Sequence, residues 1–94
     1  MTLDLTGARD KAAFMDRVAV ALALPSWFGR NWDALADALS DPGQVGGERV
    51  LLVTGWQDFA EREPGQWRVA REVFERATAV DVRVSLGGSS NEQG

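Results

Sequence analysis

The 94-residue sequence predicts a small α/β domain in which a three-stranded parallel sheet packs with three main helices and a short helical turn. Three observations lead there. Apolar and polar residues alternate in Met1-Thr2-Leu3-Asp4-Leu5 and again in Val80-Asp81-Val82-Arg83-Val84-Ser85-Leu86, the period of two of a half-exposed strand. Between them, Val50-Leu51-Leu52-Val53 is apolar throughout, which fits a central strand covered on both faces. The stretches that separate these segments carry helical periodicity, and strands joined through helices run parallel.

The elements follow in order. Residues 10–24 carry Phe14, Val18, Ala21 and Leu22 at helical spacing, with Asp10 placed to cap the first turn and Pro25 to stop the last. A second helix is predicted from Trp27 to Leu39, where Phe28, Trp32, Leu35 and Leu39 fall within one narrow arc. Asp41-Pro42-Gly43 ends it and opens a loop. After the apolar strand, Gln57 to Glu61 read as a short helical turn. Pro64 then begins a third main helix with Trp67, Ala70, Phe74 and Ala77 as its inward stripe. The last eight residues, 87–94, have no apolar side chain to bury and are expected to form a disordered tail behind a domain of residues 1–86.

Composition narrows the chemistry. With neither histidine nor cysteine, the chain has no Ser-His or Cys-His nucleophile, no thiolate, no disulfide and no Cys-based zinc site. Gly46-Gly47 is followed by neither a lysine nor a helix start, so it is not a phosphate loop. Arg68, Arg71 and Arg76 alternate with Glu72 and Glu75, a mixed solvated face rather than a nucleic-acid footprint. Trp56 and Phe59 read as core; Trp27, off the inward arc of its helix, is divided between packing and surface contact. The N-terminus has no basic region leading into an apolar stretch, and the expected location is the cytoplasm.

The net charge of −4 is unevenly distributed. Residues 31–48 hold four acids, Asp33, Asp37, Asp41 and Glu48, and no base, while the ten other acids balance the ten bases. Asp33, Asp37 and Asp41 recur every four residues on the side opposite the apolar arc. The bland reading is a solvated face on which Arg30 pairs with Asp33. Against it, aspartate is a poor helix former, carboxylates near a helix C-terminus oppose the macrodipole, and like charges four apart repel. A row that costs stability in three ways points to a binding surface for a cationic partner. A divalent-metal site built from the same three residues, in a binding protein or an enzyme, is one alternative, although one helix spaces them about 6 Å apart. A general acidic interaction module is another.

The segment Leu24-Pro25-Ser26-Trp27-Phe28-Gly29-Arg30-Asn31-Trp32-Asp33-Ala34-Leu35-Ala36-Asp37-Ala38-Leu39 resembles the signature of the barstar family, intracellular inhibitors of bacterial ribonucleases. That signature is leucine-proline, an aromatic pair, glycine, any residue, asparagine, an apolar residue, Asp-Ala-Leu and a further Asp. The apolar strand followed by Trp56-x-x-Phe59, the late helix with Val73-Phe74 and the closing strand extend the similarity over residues 1–86.

The resemblance implies a barstar-like fold, no catalytic residues, no metal and no cofactor. It also implies that the loop and second helix enter a nuclease active site, with Asp37 standing in for the substrate phosphate among catalytic Arg and His side chains. Asp33 would make a second charge-assisted contact, and Gly29 and Asn31 would shape the loop and offer backbone hydrogen bonds. Trp27 stands where the family has a tyrosine that packs on a catalytic histidine, and Ser40 where its best-known member has threonine. Two departures mark the partner: Ala36 replaces a large aromatic, and Arg76 stands about where an interface glutamate is found. The expected partner is a secreted or toxin ribonuclease with a basic cleft, barnase-type or otherwise guanyl-specific, bound one to one by a chain that is monomeric when free. Neither nucleic acid nor membrane is an expected partner.

Overall fold

The computed structural model describes residues 1–26, 28–41, 43 and 50–85. Trp27, Glu48, Gly46-Gly47 and the 87–94 tail lie outside them. The elements are β1 (Thr2–Asp4), α1 (Lys11–Ala21), α2 (Trp32–Leu39), β2 (Val50–Thr54), α3 (Gln57–Arg62), α4 (Pro64–Glu75) and β3 (Asp81–Val84). The strands form one sheet in the order β1-β2-β3, both pairings parallel. This is the predicted α/β architecture, with the apolar strand at its centre.

The register aligns Leu3, Val53 and Val84 in one row and Leu51 with Val82 in another, and these rows face the helices. The opposite face corrects the prediction that β2 is covered on both sides. Val50 and Leu52 are 41% and 40% exposed, while Leu51 and Val53 are buried. The described helices pack on a single face, giving two layers. Leu52 sits between Thr2 and Arg83 in the register, next to a methyl group and an aliphatic stem, and branched apolar residues favour strand conformation on an open face as well.

Asp10 caps α1 as predicted, its Oδ1 accepting from Ala13 N–H at 2.8 Å. The helix ends three residues early, at Ala21 rather than Leu24. Ala23 adopts φ 51°, its N–H donates to the Val20 carbonyl at 3.2 Å, and Leu24 N–H donates to Ala19 at 2.9 Å. This pair of bonds is a Schellman closure, with alanine at the left-handed position where glycine is usual. Because left-handed backbone costs an L residue about 1–2 kcal/mol, Ala23→Gly is expected to stabilise the fold by about 0.5–1 kcal/mol, after the added freedom of the unfolded chain is subtracted. Urea unfolding of the two proteins checks it.

Pro64 is the first residue of α4, as predicted, and Trp67, Ala70 and Phe74 form its buried stripe together with Val73. Ala77 lies beyond the helix and packs half-buried against the core. The short helical turn at Gln57 is a six-residue helix. β3 is shorter than the predicted 80–86: Val80 is buried just ahead of it, and Leu86 lies outside the described residues.

Aromatic rings knit the helices together. Phe14 of α1, fully buried, lies 5.1 Å from Trp32 of α2, 5.0 Å from Phe59 of α3 and 6.3 Å from Phe74 of α4. Trp56 stacks on Trp67 at 5.1 Å and 4°, and its indole N–H donates to the Ser85 carbonyl at 2.8 Å. Phe59 is thus core, as the sequence predicts, while Trp56 packs half-buried against it.

The carboxyl ends of β1 and β2 meet tightly. Gly55 adopts φ 64°, and a Cβ there would stand 2.2 Å from Thr6 Oγ1 and 2.7 Å from Thr6 N. Gly55→Ala therefore combines left-handed strain with overpacking and is expected to cost about 2–3 kcal/mol in denaturant unfolding. Beside it, the Thr6 hydroxyl and then the Thr6 N–H, bonding the Asp4 carboxylate, hold that carboxyl below its ordinary pKa. A carboxyl lowered in the folded state supplies stability above its unfolded pKa of about 3.9 and loses it as pH falls through the folded value. Asp4→Asn is expected to flatten the loss of stability below about pH 4 relative to the parent protein, measured as unfolding midpoints across that range.

Candidate functional site: the acidic face of helix α2

Helix α2 begins later than predicted, at Trp32 rather than Trp27. Asn31 is its N-cap: extended at φ −140° and ψ 171°, its Oδ1 accepts from Ala34 N–H at 2.7 Å. Upstream the chain is a turn, with Phe28 N–H donating to Pro25 at 3.0 Å and Arg30 at φ 52°. The apolar arc nevertheless points inward as read: Phe28, Leu35 and Leu39 are buried and Trp32 is half-buried.

Two contacts fix the start of the helix. The Trp32 indole N–H donates to Gln66 Oε1 of α4 at 2.9 Å, and Lys11 Nζ lies 6.0 Å from the centre of the Trp32 ring. At the other end, Ala79 N–H, from the α4–β3 connection, donates to the Leu39 carbonyl at 3.0 Å. The helix is thus anchored by its inner face and both ends while its outer face is left open.

That outer face carries the predicted residues. At 3.6 residues per turn, Asp33, Ala36, Asp37 and Ser40 fall within an arc of about 100°. Asp33, Asp37 and Ser40 are exposed; Ala36 is half-buried, packed against the core margin. Gly29 and Asn31 are exposed in the preceding loop, where the Asn31 amide donates to the Gly29 carbonyl at 3.2 Å. A Cβ on Gly29 would stand 3.1 Å from that amide nitrogen, so the loop closes this tightly because the position is glycine. Ser40 is the C-cap residue, its N–H donating to Asp37 at 3.2 Å. Arg76 is exposed at the C-cap of α4, three residues before the point where the chain docks on the last turn of α2.

The acids are not equivalent. Asp33, in the first turn, is favoured by the positive end of the macrodipole. Asp41 lies beyond the helix, and its Oδ1 accepts from Gly43 N–H at 2.9 Å, so it is spent on the turn. Asp37 stands in the last turn, where the macrodipole opposes an anion. Among the described residues no ion pair involves Asp37 or Asp33. The predicted Arg30–Asp33 pair is replaced by one between Arg30 and Asp16 of α1, because the left-handed backbone at Arg30 takes it out of the helix on which a three-residue spacing would bring them together. Among the described residues, no three His, Cys, Asp or Glu side chains converge as metal ligands, and no helix is long and apolar enough to cross a membrane.

Fold and face together define a small α/β protein that presents a rigid, acid-faced helix behind a tightly closed loop. The chain belongs to the barstar family: the family model described as Barstar (barnase inhibitor) matches residues 1–86. No curated protein matches the sequence significantly. Members of this family are inhibitors rather than enzymes.

Proposed function

We propose that the chain is a cytoplasmic inhibitor of a bacterial ribonuclease, barnase-type or otherwise guanyl-specific, and that it blocks the active site one to one with the exposed face of α2. The observation that carries this reading is Asp37. An exposed carboxylate in the last turn of a helix, without an ion pair among the described residues, destabilises the chain that holds it and is matched to a cationic partner. A ribonuclease active site binds phosphate and is therefore a cationic cleft, which a carboxylate held on a rigid helix imitates. The family's description as a barnase inhibitor supports the same target class.

In this reading Asp37 takes the position of the substrate phosphate, Asp33 makes a second charge-assisted contact one turn away, and Gly29 and Asn31 present loop backbone. Trp27 packs on the nuclease, and Ser40 lines the edge of the contact. Ala36 and Arg76 adapt the surface to its own nuclease: the small side chain makes room where a large aromatic would fill it, and Arg76 meets an acid on the partner. The chain itself performs no chemistry and needs neither metal nor cofactor.

The test is titration of purified guanyl-specific ribonucleases with the protein. Loss of activity at equimolar inhibitor is expected for at least one, with an association rate that falls as salt rises, because steering by the acidic face is screened. Full activity of every such nuclease at excess inhibitor would refute the proposal, and a salt-independent association rate would refute the steering.

A further inference from the structure

The turn that leads into α2 is held from both sides. Before it, Phe28 is 93% buried and its N–H is bonded to Pro25; after it, Asn31 caps the helix and bonds back to Gly29. Between these anchors Arg30 sits at φ 52°, a conformation unfavourable for any residue with a Cβ. None of the local bonds holds Arg30 itself. Its guanidinium instead reaches Asp16 of α1, fourteen residues earlier in the chain, and pairs with that carboxylate. Helix α1 is a firm support, since Phe14, Met15 and Val18 bury it in the core. The ion pair thus ties the most constrained residue of the loop to the body of the protein.

We infer that Arg30 is a positioning residue: by pairing with Asp16 it keeps the Gly29–Asn31 backbone in the shape that meets the nuclease, so that binding does not bear the cost of ordering it. The inference rests on the proposed nuclease-binding role. Its signature is that Asp16, on α1 and outside the acidic face, influences binding only through Arg30.

The experiment compares Asp16→Asn, Arg30→Ala and the double variant with the parent protein by two readouts. One is amide exchange of Phe28 and Ala34 in the free protein, since their N–H bonds to Pro25 and Asn31 report loop closure. The other is the dissociation constant for an inhibited guanyl-specific ribonuclease. Asp16→Asn is expected to speed exchange at both amides and to weaken binding about two- to fivefold, the range of an exposed ion pair. Added to Arg30→Ala it should weaken binding no further. Unchanged exchange and affinity in Asp16→Asn, or losses that multiply in the double variant, would overturn the inference. Weakening by Arg30→Ala with Asp16→Asn silent would overturn it too, in favour of direct contact between Arg30 and the nuclease. If the parent protein inhibits no such nuclease, the functional proposal itself fails, and the exchange measurement still decides whether the pair holds the loop.

Discussion

Asp37→Ala is expected to move stability and binding in opposite directions. Removing a carboxylate from the last turn of α2 and installing the best helix former should stabilise the free protein by about 0.5–1 kcal/mol. In the complex the same change leaves nuclease cations buried without their partner. The expected loss of affinity is about 2–5 kcal/mol, a range drawn from charged pairs at protein interfaces in general, barnase inhibition among them. Calorimetric unfolding gives the first quantity and a binding titration the second. A residue that merely decorated a solvated face would give the same gain in stability and leave affinity unchanged, and a structural residue would lower both. Only a side chain retained for a partner raises stability while abolishing tight binding. Equal affinity of parent and variant would remove Asp37 from the interface.

Phe14→Ala is expected to cost about 3–5 kcal/mol, a large fraction of the stability of a domain of this size. The ring is fully buried and touches aromatic rings on three other helices, Trp32, Phe59 and Phe74. Truncating it opens a cavity at the junction of α1, α2, α3 and α4 that none of them can close alone. Chemical denaturation of Phe14→Leu, which keeps much of the volume, should show a smaller loss than Phe14→Ala; equal losses would mean that ring packing contributes little beyond burial. Because Trp32 is the first residue of α2, the cluster also sets where the acidic face begins.

What the sequence makes legible and what it hides have physical reasons. The inward arc of α2 and the capping role of Asp10 are local properties, carried by residues within a turn or two of one another, and they survive into the fold. So does Pro64, whose fixed φ suits only the first turn of a helix. The start of α2 is hidden because Phe28 falls on the inward arc of the helix, while Gly29 and the cap preference of Asn31 are the weaker signals that mark its true boundary. The end of α1 is hidden in the same way: an alanine in left-handed conformation leaves no trace in composition. The open face of the sheet could not be read from Val50-Leu51-Leu52-Val53, since periodicity reports apolarity and not what covers it. The Arg30–Asp16 pair joins positions fourteen apart, and only the packing of the loop before α2 beside α1 brings them together. In the site itself the acidic spacing was legible, whereas the separate roles of Asp33, Asp37 and Asp41 depend on where the helix starts and stops.

Competition between the protein and a phosphate-bearing substrate analogue tests most directly whether the acidic face of α2 occupies the nuclease active site. With an inhibited guanyl-specific ribonuclease held at increasing concentrations of guanosine 3′-monophosphate, the apparent affinity for the protein should fall in proportion to occupancy of the nucleotide site. An affinity that does not change when that site is saturated would contradict phosphate mimicry by Asp37.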